Sequence, residues 1–475
     1  MERADGTQEF DVVVIGAGPA GEVAAGRLGQ AGLDVAIVEE HLVGGECSYY
    51  GCMPSKALLR PDEALAEARR IPGAQEAASG ALDVEAVLRR RDEVIHSLDD
   101  SAQLPWLEER NVTLVRGRGR IDGERRVLVG DESLTARRAV IVAVGTAAAL
   151  PPIPGLAEAR PWTNREATTA GAPPRRLIVL GGGVVGVELA QAWSSLGSSV
   201  TLVELADRLL VREEPFAGEQ VASALRRRGV DVRMRTAAVA VTRKDDEVVV
   251  QLEGGQILVA DELLVAVGRR AVTDDLGLET VGIEAGAALT VDDGMKVVGS
   301  DWLFAVGDVN GRSLLTHMGK YQAWIAAENI LGREQRAAVE AQATLSPRVV
   351  FTDPQVAAVG HTLGSAEEAG LRVSAVDYGT NWVAGASFYG RSAEGTARIV
   401  VDLDREVVVG ATFTGPDVAE FLQAATIAIV GKVPLARLRH AVPAFPTRSE
   451  IWLRLLETYE TERGADALDR AAAAA

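Results

Sequence analysis

The chain has 475 residues, too many for a single hydrophobic core, so its length predicts several domains. Its formal net charge of −18 at pH 7 disfavours nucleic acid or an anionic membrane as a partner, because both require a concentrated basic surface. Because no apolar run is long enough to span a bilayer and the N-terminus lacks a signal-peptide core, we expect a cytoplasmic protein with no membrane partner.

The first predicted element is a βαβ unit in the segment "FDVVVIGAGPAGEVAAGRLGQAGLDVAIVEE". Within its G-x-G-x-x-G motif, Gly16 makes the tight turn, Gly18 lets a pyrophosphate approach the backbone, and Gly21 lets the helix pack on the strand. The N-terminus of that helix then presents unpaired N–H groups to the phosphates. Glu39 ends the second strand, where it is placed to accept hydrogen bonds from a ribose.

The next segment, "GGECSYYGCMPSKALLR", contains both cysteines of the chain, Cys47 and Cys52. A disulfide between them requires the intervening chain to fold back or to begin a helix. Pro54 suits the first turn of a helix, so we expect Cys52 at a helix N-terminus, where the pKa of its thiol falls below about 8.5. Lys56, four residues later, lies on the same helical face. The alternative, two buried cysteines acting as small apolar residues, is disfavoured by the flanking glycines and the upstream βαβ unit.

A second βαβ unit follows in "RRLIVLGGGVVGVELAQAWSSLGSSVTLVEL". Gly181, Gly183, Gly186 and Glu204 repeat the positions of the first unit. One such glycine motif is weak evidence, but two in full context, each with its acid, predict two dinucleotide sites. We therefore expect FAD and a nicotinamide cofactor on one chain.

Shorter signals complete the chain. The segments "AVIVAVGTAAALPPIPG" and "DELLVAVGRRAVTDDLGLE" each end a strand in glycine and return from a dinucleotide-binding domain, and "DWLFAVGDVNG" places Asp308 after an apolar strand. From about residue 341 the pattern changes to alternating strands followed by helices, which predicts an α+β domain.

The order and spacing of these motifs resemble the FAD-dependent pyridine nucleotide–disulfide oxidoreductases, the family of dihydrolipoamide dehydrogenase, glutathione reductase and mercuric reductase. The resemblance implies an α/β protein with two Rossmann-like dinucleotide-binding domains and a C-terminal α+β dimerisation domain. The domains expected from it are FAD-binding (1–155 and 276–340), NAD(P)-binding (156–275) and dimerisation (341–465), followed by a flexible tail (466–475).

The resemblance also implies roles for individual residues. FAD is expected to be held by Gly16, Gly18, Gly21, Glu39, Gly119, Thr146, Asp308 and Thr316, with Lys56 beside its flavin ring. Glu188 is expected where the nicotinamide stacks, paired with Lys56, while the nicotinamide cofactor is lined by Gly181, Gly183, Gly186, Glu204 and Gly268. The catalytic set is Cys47, Cys52, Lys56, Glu188 and Glu450, with no metal site. A homodimer is implied, with "FPTRSE" reaching the partner subunit's dithiol.

One residue departs from the family pattern. The better-known disulfide reductases carry H-P-T-x-x-E near the C-terminus, whereas this chain has Phe445 before Pro446, Thr447 and Glu450. Phenylalanine cannot transfer a proton, and loss of a general base typically costs about 10²–10⁴ in rate. His440, five residues upstream, is a less favoured candidate for a substitute base and more typical of a structural histidine.

Glu46 is a second departure, because the better-known members have a small hydroxyl residue before the first cysteine. A buried carboxylate at this position raises the pKa of a neighbouring thiol. A solvated surface acid is equally compatible with the sequence.

Together these features predict an NAD(P)H-dependent FAD oxidoreductase with a redox-active Cys47–Cys52 pair. NADH is expected in preference to NADPH, and the acceptor is expected to be a small molecule, with a quinone or other small oxidant favoured. One alternative is a true disulfide reductase, similar to dihydrolipoamide dehydrogenase, that uses His440 or water as its base. The other is a flavin and dithiol redox sensor with little turnover.

Overall fold

The computed structural model describes residues 7–338, 345–390 and 393–474, with no description of side chains from residue 464 onward. The α-helices of these ranges, numbered in chain order, are α1 (Pro19–Gln30), α2 (Gly45–Tyr49), α3 (Cys52–Arg70), α4 (Val84–Val94), α5 (Leu104–Glu108), α6 (Asn164–Thr169), α7 (Val184–Ser195), α8 (Pro215–Arg227), α9 (Thr316–Ile330), α10 (Leu363–Glu368), α11 (Leu422–Val430), α12 (Leu435–Leu438) and α13 (Ile451–Ala474).

The strands, numbered in the same way, are β1 (Thr7–Ile15), β2 (Val35–Glu39), β3 (Val112–Arg116), β4 (Gly119–Ile121), β5 (Arg126–Val129), β6 (Glu132–Val142), β7 (Thr146–Ala148), β8 (Arg176–Leu180), β9 (Ser199–Val203), β10 (Asp231–Arg233), β11 (Ala238–Lys244), β12 (Glu247–Leu252), β13 (Ile257–Ala260), β14 (Glu262–Val265), β15 (Arg269–Ala271), β16 (Leu303–Ala305), β17 (Arg348–Val350), β18 (Gln355–Gly360), β19 (Val373–Gly379), β20 (Thr396–Asp402) and β21 (Val407–Gly415).

The first βαβ unit forms the centre of a seven-stranded sheet. Strand β1 pairs in parallel with β2 on one side and with β6 on the other, and the apolar run Val12–Ile15 is buried on both faces. This burial explains why β1 reads as a continuous apolar run, as strands inside parallel sheets do. Strand β16 joins the same sheet beside β6, so that the chain after residue 302 returns to the first unit.

The second βαβ unit forms its own parallel sheet in the order β10-β9-β8-β14, flanked by the antiparallel sheet β11-β12-β13. The sequence predicts that the segments containing β7 and β15 lead back from the two dinucleotide-binding domains. These two segments pair with each other, since β15 is antiparallel to β7. The chain therefore crosses between the two units through one two-stranded sheet.

The C-terminal part contains a five-stranded antiparallel sheet in the order β17-β18-β21-β20-β19. Helices α11 and α13 pack on it, and Phe413, Leu455 and Ile451 lie in the shared core. This arrangement confirms the predicted α+β domain and, with the two parallel sheets, the predicted α/β fold class.

The chain ends in α13, whose backbone is helical through Ala474. Side chains of the expected tail, residues 466–475, lie outside the described residues, as do residues 339–344 around the expected boundary at 340 and 341. Among the described helices, none has the length and apolar character needed to cross a membrane.

Candidate active site

A cavity of about 590 Å³ opens at the carboxyl ends of β1, β6 and β16. Its volume lies in the range of cofactor and ligand pockets. The residues that the sequence associates with FAD and that line this cavity are Gly16, Gly18, Glu39, Gly119, Thr146, Asp308 and Thr316, together with Cys47 of the dithiol.

The first glycine motif has the shape of a phosphate cradle. Gly16 has a φ of +100°, and a Cβ there would lie 2.6 Å from the carbonyl oxygen of Ala143. A Cβ on Gly21 would lie 1.9 Å from the carbonyl oxygen of Gly16, so α1 packs directly on the turn. A Cβ on Gly18 would meet nothing within 4 Å, and Gly18 leaves the N–H groups at the start of α1 without a side-chain cap. This open approach to a helix N-terminus fits a pyrophosphate.

The second glycine motif repeats this geometry. Gly181 has a φ of +107°, a Cβ on Gly186 would lie 1.8 Å from the carbonyl oxygen of Gly181, and a Cβ on Gly183 would meet nothing within 4 Å. Helix α7 also begins without a side-chain cap. Gly268, which follows β14, is likewise open around its Cβ position. These residues fit a second dinucleotide.

The two acids at the strand ends form hydrogen bonds with the backbone of the loops that contain the glycine motifs. Glu39 accepts hydrogen bonds from the backbone N–H groups of Ala17 and His41, each at 2.7 Å. Glu204 does the same for Gly182 and for Ala206, the latter at 2.7 Å. Because each carboxylate oxygen has further lone pairs, these contacts leave acceptor capacity for ribose hydroxyl groups. The sequence pattern predicts a contact of each acid with a ribose, but it does not predict that each carboxylate also accepts hydrogen bonds from backbone N–H groups.

The two cysteines lie on two helices separated by a short gap, Cys47 in α2 and Cys52 at the start of α3. Cys52 is the first residue of the helix, and its Sγ lies 3.4 Å from the hydroxyl oxygen of Thr316. The pKa of Cys52 is lowered to about 6, first by a hydrogen bond from Cys47, then by Thr316 and the charge of Lys56, against the effect of burial. The hydrogen bond to Cys52 and burial raise the pKa of Cys47. The two opposite shifts favour Cys52 as the thiolate and Cys47 as the thiol of the reduced pair.

Lys56 and Glu188 form an ion pair between α3 and α7. Their Nζ and Oε2 atoms lie 2.7 Å apart, and Glu188 is only 2% exposed. The other oxygen of Glu188 accepts a hydrogen bond from the backbone N–H of Phe351 at 2.9 Å. Lys56 Nζ also lies 4.9 Å from the centre of the Phe351 ring. The pair is thus fixed from both helices and from the segment before β18.

Two polar residues that the sequence did not single out, Asn164 and Arg269, also line the cavity. Arg269 donates to the hydroxyl and to the carbonyl oxygen of Thr146, both at 2.7 Å, and Thr146 donates to Asp308 at 2.9 Å. Burial raises the pKa of Asp308. The resemblance assigns a role to Gly268 but none to Arg269, the residue that directly follows it.

Glu46 is neither buried against the thiol nor a solvated surface acid. Its carboxylate accepts hydrogen bonds from Asn164 at 2.8 Å and from Arg165, and it lies 3.6 Å from Arg269. Its side chain is 29% exposed. The carboxylate therefore connects α6 to the segment of residues 46–52, which contains both cysteines and is named the dithiol loop below.

The C-terminal motif has no base at position 445, and it lies away from the cavity of its own chain. Phe445 is 76% exposed, His440 lies exposed beyond α12, and neither lines the cavity that contains Cys47. Glu450 is buried and accepts hydrogen bonds from Arg454 at 2.6 Å and from the backbone N–H of Ala384 at 3.2 Å. Glu450, which the resemblance implies as the partner of a histidine, therefore has other partners here.

The described part of the chain contains no group of three or more His, Cys, Asp and Glu side chains arranged to hold a metal ion. The polar groups that line the cavity are hydrogen-bond donors and acceptors, and Cys47 lies among them.

Two family models match the chain. The model described as pyridine nucleotide-disulphide oxidoreductase matches residues 10–329, and the dimerisation domain of the same family matches residues 346–455. The chain belongs to the pyridine nucleotide–disulphide oxidoreductase family. It is therefore an FAD-dependent enzyme that uses NAD(P)H, and the resemblance drawn from the motifs is confirmed.

Relatives and solved structures agree with this assignment. The chain is 34% identical to a dihydrolipoyl dehydrogenase of Chlorobaculum tepidum, over 95% of this chain and 97% of that protein. It is 33% identical to dihydrolipoyl dehydrogenase 3 of Pseudomonas aeruginosa, over 93% and 96%. Among solved structures, the HOCl-induced flavoprotein disulfide reductase RclA of Escherichia coli has a TM-score of 0.82 and 26% identity, covering 94% of this chain and 99% of that one. LpdA of Mycobacterium tuberculosis has a TM-score of 0.82 and 25% identity, with the same coverage.

Substitutions in the first glycine motif should separate folding from cofactor binding. We expect Gly21→Ala to destabilise the protein strongly, because its Cβ would overlap the carbonyl oxygen of Gly16. Gly18→Ala is the matched control for folding, since its Cβ meets only open space. It should keep the melting temperature of the FAD-free protein but lower FAD affinity at least ~10-fold, because the methyl group occupies the pyrophosphate approach. Thermal unfolding and fluorescence titration with FAD measure the two effects; equal FAD affinity in Gly18→Ala and the unmodified protein would contradict the assigned cradle.

Proposed function

We propose that this enzyme passes electrons from NADH to FAD and on to a small-molecule acceptor other than a disulfide substrate, with a quinone favoured. Bound FAD supplies the chemistry that accepts a hydride from the nicotinamide and exchanges electrons with a dithiol or an acceptor. The residues of the chain position that group, hold Cys52 as a thiolate and keep the Lys56–Glu188 pair beside it.

The observation that carries the choice of acceptor is Phe445 in the position of the family's histidine. Exchange between thiols and a disulfide substrate requires proton transfer at sulfur, and loss of the general base costs roughly 3–5 kcal/mol of barrier. His440 stands five residues before the position of that histidine. The carboxylate of Glu450, which would orient a base at position 445, is already bound by Arg454 and by the backbone N–H of Ala384. A quinone does not need this thiol proton relay.

The individual roles form part of the proposal. The residues proposed to bind FAD are the cavity-lining residues that the sequence associates with FAD, together with Gly21. Cys47 and Cys52 are the proposed redox pair. Lys56 and Glu188 are proposed to lie beside the flavin and the nicotinamide. The nicotinamide cofactor is assigned to the second glycine motif with Glu204 and Gly268. The support is the open cradle at each motif and the contact of Cys52 with Thr316.

The domain division is also proposed, with FAD-binding segments 1–155 and 276–340 around an NAD(P)-binding segment 156–275. It is supported by the pairing of β16 with β6 in one sheet and by the separate sheet of β8, β9, β10 and β14. Residues 341–465 complete the division as a homodimerisation domain, supported by the matching family model. In that homodimer the segment 445–450 reaches the partner subunit's dithiol. A cytoplasmic location is proposed from the two cysteines kept for redox use.

The relatives' names favour a second candidate, a dihydrolipoyl dehydrogenase-like activity with His440 or water as base. Steady-state NADH oxidation with a panel of quinones, lipoamide and glutathione disulfide distinguishes the candidates. Fast turnover with quinones and slow turnover with disulfides supports the proposed function. Fast lipoamide turnover that His440→Ala removes supports the second candidate, and negligible turnover with every acceptor supports a redox sensor.

We expect a higher kcat/KM for NADH than for NADPH. The carboxylate of Glu204 is fixed at the end of β9 by two backbone N–H groups, so it accepts from ribose hydroxyls and repels a 2′-phosphate. Arg208 and Arg212 follow Glu204 in the sequence, and we expect their positive charges to make this preference smaller. Steady-state kinetics with both cofactors measure the ratio, and Glu204→Gln should narrow it. A larger kcat/KM for NADPH in the unmodified enzyme would contradict the assigned role of Glu204.

A further inference from the structure

The segment that contains the two cysteines is bound by a buried side chain, Asn164, at the start of α6. Asn164 is 8% exposed, and its amide nitrogen donates to the carboxylate of Glu46 and to the carbonyl oxygen of Tyr50, both at 2.8 Å. Glu46 directly precedes Cys47, and Tyr50 lies between Cys47 and Cys52. One amide group thus forms hydrogen bonds with this segment at two positions.

The same side chain is connected to the wall of the cavity. Its amide oxygen accepts a hydrogen bond from Arg269 at 3.1 Å, and Arg269 binds the hydroxyl and carbonyl oxygens of Thr146. Thr146 in turn donates to Asp308. A continuous set of hydrogen bonds therefore runs from the dithiol loop through Asn164 to two residues that line the cavity.

Two further side chains contact this loop. The buried hydroxyl of Thr168 donates to the Tyr50 carbonyl oxygen at 3.2 Å, and Arg165 binds Glu46 and lies over the Tyr50 ring. Arg165 is exposed, so solvent weakens its ion pair with Glu46. Thr168 reaches the loop only at Tyr50, whereas Asn164 binds both Glu46 and Tyr50 and joins them to Arg269.

We propose that Asn164 is a positioning residue for the Cys47–Cys52 pair: it fixes the segment that contains both cysteines relative to the cavity wall, with Glu46 as its anchor, and so favours disulfide formation. This inference rests on the proposed redox role of the two cysteines. A disulfide requires Cβ atoms about 3.8 Å apart, whereas two thiols tolerate wider separations. Without Asn164 the reduced loop gains conformational freedom, which disulfide formation must then remove.

The test measures the dithiol equilibrium rather than turnover. The FAD-loaded protein is equilibrated anaerobically, without NADH, in buffers of reduced and oxidised dithiothreitol. Oxidation of the pair forms one S–S bond and passes two electrons to the cyclic disulfide of the buffer. That disulfide opens to the dithiol by taking one proton from the Cys47 thiol and one from solvent. Acid quenching, maleimide labelling and mass spectrometry then count the free thiols at each ratio.

Asn164→Ala should lower the equilibrium constant for disulfide formation about tenfold, a change of ~30 mV in reduction potential. The matched control is Thr169→Ala, which removes a hydrogen bond within α6, to the carbonyl oxygen of Arg165, without touching the dithiol loop. It should leave the constant within about twofold of the unmodified protein, given the size of a single distant hydrogen bond. Equal constants for Asn164→Ala, Thr169→Ala and the unmodified protein would overturn the inference.

Two further variants keep the test decisive if Asn164→Ala does not fold. Glu46→Ala removes the anchor and should lower the equilibrium constant for disulfide formation about threefold to tenfold. Glu46→Gln keeps an acceptor for Asn164 and should lower that constant less. Equal constants for Glu46→Ala and the unmodified protein would also overturn the inference. Failure of the proposed function is separate: an unmodified protein that forms no disulfide in any buffer ratio would refute the redox role of the cysteines themselves.

Discussion

Disulfide substrates should turn over at least ~10²-fold more slowly with this enzyme than with family members that carry the histidine. The physical reason is the side chain at position 445, since phenylalanine neither takes a proton from a substrate thiol nor returns one. Phe445→His should raise turnover with lipoamide, because the rest of the motif through Glu450 is present. The rise should be partial, because Glu450 is already bound to Arg454 and to the backbone of Ala384. Steady-state rates with NADH and lipoamide measure the change.

Phe445→Leu is the matched control for that substitution. It removes the aromatic ring without supplying a base, so lipoamide turnover should stay low while quinone turnover persists. His440→Ala should leave both rates unchanged. Ordinary rates of disulfide turnover in the unmodified enzyme, unaffected by His440→Ala, would refute the account of the missing base.

Reduction by one equivalent of NADH should produce a long-wavelength charge-transfer absorbance between the Cys52 thiolate and the oxidised flavin. The pKa of Cys52 is lowered to about 6, chiefly by its hydrogen bond with Cys47. Since a thiol with a lowered pKa is ionised above that value, the absorbance should be full at pH 8 and fade as the pH falls through about 6. Cys52→Ser should abolish it at every pH. Stopped-flow and static absorbance titrations measure both effects.

Cys47→Ser is the control for that spectrum. Serine removes the second sulfur but retains a hydroxyl donor toward Cys52, so the absorbance should remain. Thr316→Val removes the hydroxyl that lies 3.4 Å from Cys52 Sγ and should move the fading to higher pH. An absorbance that survives in Cys52→Ser and disappears in Cys47→Ser would show that the two sulfurs have been assigned in the wrong order.

The parts of the site that the sequence predicts are those set by local geometry. Gly16, Gly18 and Gly21 are recognisable because a tight turn, a phosphate approach and a helix contact all depend on residues within one short segment. The position of Cys52 at a helix N-terminus follows in the same way from Pro54, which is found in the first turn of α3.

The remaining contacts depend on tertiary structure. Glu46 meets Asn164 across 118 positions of the chain, and Arg269 meets Thr146 across 123. No periodicity or spacing rule connects such pairs, and an asparagine at the start of a short helix reads as an ordinary helix-initiating residue. Asn164 and Arg269 therefore become visible only once β15 is paired with β7 and α6 lies against the dithiol loop.

The central claim is that the physiological acceptor takes electrons without thiol–disulfide exchange at the dithiol. The double variant Cys47→Ser/Cys52→Ser tests this claim most directly. The FAD-loaded variant is assayed for NADH oxidation with a quinone and with lipoamide, beside the unmodified enzyme. Quinone turnover should remain within about tenfold of the unmodified rate, since thiol exchange, with its general-base step, serves only the disulfide reaction. Quinone turnover that falls to background in the double variant, together with efficient lipoamide turnover in the unmodified enzyme, would contradict it.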